Sequence, residues 1–81
     1  MFTTKVYDEH GKLIETRKFR TFDKMTDYNA AIVGCMLDAA TIQVDNGSEV
    51  STVDCWQLRD KAVVDGYELP VHRQMLARDG R

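Results

Sequence analysis

No stretch of this 81-residue chain approaches the roughly 20 consecutive apolar residues that span a bilayer, and Met1-Phe2-Thr3-Thr4-Lys5-Val6 lacks the charged-then-apolar order of a signal peptide. The expectation is a cytoplasmic protein with no membrane association. Cysteine is scarce: Cys35 and Cys55 are too few for a disulfide framework, and both fall in stretches of helical periodicity, so both are expected as reduced core thiols. Metal-ligand spacing is missing as well. His10, His72, Cys35 and Cys55 include no Cys-x-x-Cys or His-x-x-x-His pair, and Asp27, Asp38, Asp45, Asp54, Asp60 and Asp65 form no Asp-x-Asp-x-Asp-Gly calcium loop. The five glycines stand singly, which excludes a glycine-rich phosphate cradle. No Gly-x-Ser-x-Gly or comparable nucleophile signature accompanies the two histidines. The chain is therefore expected to be no enzyme, with no catalytic residue, no metal and no cofactor. Cys55 is the one thiol worth weighing, because a first-turn position lowers a thiol's pKa, but its place on an inner helical stripe favours a packed thiol.

What is present is the composition of a globular protein: 43% hydrophobic and 30% charged residues, with three Phe, three Tyr and one Trp. The length fits a single domain, 1–81, and a chain this short spends most of its apolar side chains on the core, leaving little room for an enclosed cleft. The net charge is −2 but unevenly spread. Residues 1–24 carry six Lys or Arg against four Asp or Glu, residues 25–69 two against eight, and residues 70–81 three against one. An acidic centre lies between basic ends.

Phe2 to Asp8 and Lys12 to Phe19 are rich in β-forming residues and flank Glu9-His10-Gly11, which predicts a hairpin. Pairing Asp8 with Lys12 sets Val6 opposite Ile14 and Lys5 opposite Glu15, with Phe2, Val6 and Ile14 on one face. From Thr21 the period changes. Met25, Tyr28, Ile32, Cys35 or Met36, and Ala39 predict a helix from about Phe22 to Ala39 or Ala40, with Thr21 as N-cap and Asp23 in the first turn. Gly34 inside that helix suggests close approach by a neighbour. Thr41 to Asp45, Asn46-Gly47 and Ser48 to Val53 predict a second hairpin. Asp54 with Gln57, and Val53 with Leu58, mark the start of a second helix that Gly66 ends; Cys55, Leu58 and Ala62 form its inner stripe while Arg59, Asp60 and Lys61 face water. The rival reading is a third hairpin around Asp65-Gly66. Beyond Gly66, residues 67–81 read as an irregular extension in which Pro70 could open a short helix through Met75 and Leu76. The fold expected is α+β with element order ββαββα: two β-hairpins forming a small antiparallel sheet packed against a long helix, with a second, shorter helix.

Four surfaces follow. Trp56 and Tyr67 are of the aromatic type that anchors protein interfaces. The acidic set Asp38, Asp45, Glu49, Asp60, Asp65 and Glu68 would steer the domain toward a basic surface, such as one that normally holds nucleic acid. Arg17, Lys18, Arg20 and Lys24, set around Phe19, form an alternative basic patch for direct nucleic-acid binding, against which stands a pI near 5.6. Ala30-x-x-x-Gly34 offers a small-residue surface on which a second copy could pack as a homodimer.

The run Val6-Tyr7-Asp8-Glu9-His10-Gly11-Lys12-Leu13-Ile14, then Phe19-Arg20-Thr21-Phe22-Asp23, then a helix and an Asn-Gly hairpin, resembles the layout of many small phage-encoded proteins. These include anti-CRISPR proteins and inhibitors of host transcription. The resemblance spans residues 2–56 and lies in size and element order. It implies a stoichiometric inhibitor, encoded by a phage or mobile element, that binds a host or defence protein in the host cytoplasm. The alternatives are a nucleic-acid binder working through the basic hairpin and a self-associating structural module.

Overall fold

The computed structural model of the chain describes residues 1–71. Its elements are β1 (Phe2–Tyr7), β2 (Leu13–Phe19), α1 (Phe22–Cys35), β3 (Thr41–Asp45), β4 (Val50–Asp54) and α2 (Cys55–Val64). The strands form one antiparallel sheet of order β2-β1-β3-β4, so the two hairpins join through β1 and β3 and the expected ββαββα fold is formed. Strand alternation sends Thr4 and Val6 of β1 and Ile42 of β3 to one face, where they are buried. Ile32 and Val33 of α1, Ala39 and Cys55 complete that core, with Tyr28, Met36, Val44 and Val53 packed against it. α1 lies against β1 and β2, and α2 against α1. The other face of the sheet is polar and carries Lys5, Thr16, Lys18 and Thr52, all exposed.

The first hairpin closes as expected but slips one residue further on. The Asp8 carboxylate accepts the backbone N–H groups of His10 and Lys12, both at 2.9 Å, Gly11 adopts φ +80°, and Tyr7 pairs with Leu13. A β-bulge then inserts one residue, so Val6 faces Glu15 and Lys5 faces Thr16. The expected Val6–Ile14 and Lys5–Glu15 pairs do not form. Ile14 is 39% exposed, and Glu15 instead meets Arg17 of its own strand at 3.4 Å.

α1 begins as expected, with the Thr21 hydroxyl accepting the Lys24 N–H, but ends at Cys35 rather than at Ala39 or Ala40. The chain leaves the helix at Met36 in extended backbone, and the Ala39 N–H closes a turn onto the Met36 carbonyl at 3.1 Å. Ala39 is thus buried from a turn, and Cys35 is exposed rather than a core thiol.

The second hairpin has a four-residue loop, Asn46-Gly47-Ser48-Glu49, in place of the two-residue Asn-Gly turn, and β4 starts at Val50. The Asn46 side chain accepts the N–H groups of Ser48 and Glu49 at 2.9 and 2.8 Å, a geometry that leaves Asn46 at negative φ and only Gly47 at positive φ.

α2 rather than a third hairpin occupies the next segment. The Asp54 carboxylate caps it through the Trp56 and Gln57 N–H groups. Tyr67 N–H to the Ala62 carbonyl and Gly66 N–H to the Val63 carbonyl close it in a Schellman motif, with Gly66 at φ +85°. Its buried positions are Cys55 and Arg59, one turn apart, while Leu58 is 43% exposed. Past Gly66 the described chain folds back: Leu69 packs beside Gly34, and Val71 is buried. Pro70 and Val71 carry helical backbone, and the rest of that expected helix lies outside the described residues.

Candidate partner-binding groove

One end of the sheet holds a groove of about 520 Å³ lined by Asp8, Glu9, His10, Lys12, Leu13, Ile14, Leu37, Asp38 and Trp56. Three pieces of backbone meet there. The register sets Leu13 opposite Tyr7, Tyr7 opposite Thr41 and Thr41 opposite Asp54, so the first hairpin loop, the α1–β3 turn and the start of α2 share one end of the sheet. The bulge is what turns both Leu13 and Ile14 outward enough to line the groove. Across from them stands Trp56, in the first turn of α2.

Trp56 is held from behind by Arg59, whose guanidinium carbon lies 5.2 Å from the indole centroid. The sequence reading places Arg59 in water. It is instead fully buried, because its Nε donates to the Val33 carbonyl at 2.8 Å and its Nη2 to the Met36 carbonyl at 2.6 Å. These are carbonyls at and just past the end of α1, whose last turn contains no basic residue of its own. A cation from α2 thereby satisfies the negative pole of α1. Burial pulls the Arg59 pKa down from its ordinary value.

The groove rim is mostly acidic. Asp8, Glu9 and Asp38 stand against Lys12, and His10 contacts Glu9 at 3.5 Å. The backbone N–H of Lys12 holds the Asp8 carboxyl below its usual range.

Of the acidic set picked from the sequence, Asp38 alone lines this groove. Asp45 and Glu49 sit at the opposite end of the sheet, since Asp45 pairs with Thr3, while Asp60 lies on α2, Asp65 forms its C-cap and Glu68 follows it. All six are exposed. Trp56 is in the groove; Tyr67 is 69% exposed beyond α2.

The basic set is divided by strand alternation. Arg17 shares the helix-side face with Glu15 and lies 5.7 Å over the Tyr28 ring, whereas Lys18 points to the polar face beside Lys5. Arg20 and Lys24 are exposed at the exit of β2 and on α1. Ala30 and Gly34 do not make one small-residue surface, because Ala30 is exposed and Gly34 is covered by Leu69.

Cys55 is the buried core thiol expected of the inner stripe; burial raises its pKa, opposing the effect of its first-turn position. Among the described residues no group of three or more His, Cys, Asp or Glu could hold a metal ion, and no helix is long and apolar enough to cross a membrane.

Sequence reasoning missed Leu13, Ile14, Leu37, Asp8 and Glu9 as groove residues. One signal was readable: two large apolar residues in succession, Leu13-Ile14, cannot both face the core of a regular strand. Comparison with family models, with curated proteins and with solved structures finds no match to the chain, so its geometry alone bears on what it does.

Proposed function

We propose that the protein is a non-catalytic binding module that receives a segment of a partner protein in the groove between the first hairpin and Trp56. One observation carries this reading: an indole braced by a buried guanidinium faces exposed Leu13 and Ile14 across a groove with an acidic rim. Rigid aromatic surface with adjacent aliphatic side chains is the composition of an interface anchor, and the rim favours a partner whose apolar contact is flanked by Lys or Arg. The mode of action that fits is stoichiometric occupancy of a host or defence protein with a basic surface, as a phage or mobile-element inhibitor would use.

The test is affinity capture from a lysate of the native host by the wild-type protein and by Ile14→Ser, whose side chain is exposed and whose loss spares the core. The expected result is one stoichiometric partner that Ile14→Ser and Trp56→Ala both fail to retain. Equal retention by both variants would overturn the groove as the working surface. A nucleic-acid reading retains only Lys18 of the basic set and adds Lys5, the two sharing the polar sheet face with Thr3, Thr16, Gln43 and Asp45. It requires binding to single-stranded DNA or RNA that weakens steeply with salt and is lost in the Lys5→Gln, Lys18→Gln double variant.

A further inference from the structure

We infer that the free edge of β4 is a strand-addition site for an extended segment of a partner protein that carries Lys or Arg at both ends of the added strand. The ladder fixes which backbone groups are available. Asn46 N–H donates to the Glu49 carbonyl and Cys55 N–H to the Ala40 carbonyl, so hydrogen-bonded rungs bracket the β3–β4 pair. Antiparallel alternation then assigns the hydrogen-bonded rungs to Val44 with Ser51 and to Ile42 with Val53. Val50 and Thr52, which face Asp45 and Gln43 between those rungs, direct both their N–H and their C=O away from β3. Among the described residues β4 pairs with no strand but β3, and Val50, Ser51 and Thr52 are exposed.

The two edges of the sheet are unlike. β2 carries Glu15, Arg17 and Lys18 and a bulge, devices that block edge-to-edge pairing. β4 reads Val50-Ser51-Thr52-Val53, with no charge, proline or bulge until Asp54. Among the described residues it is the edge left open. Its ends set the chemistry of the occupant. Asp54 closes one end, Asp45 lies across from Val50 at the other, and both fall on the polar face with Thr52. Among the described residues Asp45, Glu49 and Asp54 form no ion pair, although Lys18 lies two strands from Asp45 across Thr3 on the polar face. Residues opposite Val50 and Asp54 on an added strand are four apart and on one face. A lysine opposite Val50 lies about 10 Å from Asp45, two inter-strand spacings away and within its reach across the valine. Like charges at both ends disfavour a second copy of β4 as the occupant and favour a cationic one.

This inference shares with the groove reading only the premise of a polypeptide ligand, and the two surfaces are tested separately. The probe is the blocked pentapeptide Lys-Val-Thr-Val-Lys, whose symmetric lysines suit either strand direction, titrated to millimolar concentration into the isotope-labelled full chain at low salt. The expected result is perturbation and slowed exchange of the Val50 and Thr52 amides. Thr52→Pro removes an N–H the β3 ladder does not use, a substitution edge strands tolerate, and weakens the probe about tenfold. Asp45→Asn with Asp54→Asn keeps both side-chain acceptors and weakens it about threefold. Leu13→Ser, on the far edge strand and in the groove, leaves the probe unaffected. No change at Val50 and Thr52 overturns the inference, as does Thr52→Pro binding equally well. Slowed exchange of those amides without probe, together with a dimer by sedimentation, also overturns it by making a second copy the occupant.

Discussion

Arg59 concentrates more structural consequence than any other side chain. It terminates α1 by taking two carbonyls, it lies fully buried, and it backs the indole of Trp56. Arg59→Ala strands the Val33 carbonyl and weakens the turn at Met36, a cost of about 2–4 kcal/mol given typical charged hydrogen bonds and orphaned acceptors. Arg59→Lys recovers less than half of that, because an ammonium lacks the fork that reaches both carbonyls. Urea unfolding of the three proteins measures both numbers. Gly34 points the other way. A Cβ there would stand 3.8 Å from the Leu69 side chain, an ordinary contact, so Gly34→Ala gains helix propensity without a clash. The expected gain is up to about 1 kcal/mol, a rise of several degrees in Tm by calorimetry. The close approach inferred from this glycine is real, but there is room for a methyl group.

At the scale of elements, what could be read depended on how local the determinant is. The Thr21 and Asp54 caps, Gly66 at the end of α2 and Asp8 at the first turn each act within a few residues, and each sits where the sequence places it. Every miss involves a partner from afar or a count that pattern does not carry. The α1 stripe continues in sequence to Ala39, but α1 stops where Arg59, 26 residues from Val33, supplies its cap. A period of two places Ile14 in the core and does not count the extra residue at the bulge; only the succession Leu13-Ile14 hints that one of the two must turn outward. In α2 the polarity of Arg59 hid that it completes the Cys55, Arg59, Ala62 stripe. The turn at Asp8 also carries a pH dependence. Its folded pKa is depressed chiefly by the Lys12 N–H, so its stabilising effect is fully present above the unfolded value and disappears as pH falls through the folded one. Asp8→Asn, whose amide oxygen still accepts both N–H groups, flattens the acid limb of stability measured by thermal melts below about pH 5.

For the molecule as a whole, the fold separates its charges more finely than its net −2 suggests. The acidic groove rim lies at one end of the sheet and Asp45 and Glu49 at the other, with Lys5 of the polar face between them and Lys18 level with Asp45 across Thr3. Helices lie against one side of the sheet, and among the described residues its polar face, its β4 edge and the groove end are left exposed. The groove end also reports on itself. Trp56 is the chain's single tryptophan, it borders the groove, and a cation rests on its face. Its fluorescence is therefore a label the protein carries without modification. Occupancy of the groove should move the emission to shorter wavelength as water leaves the indole, and Arg59→Ala should change intensity in the empty protein by removing the guanidinium. A candidate partner can be ranked by titration in a cuvette, with no tag on either molecule.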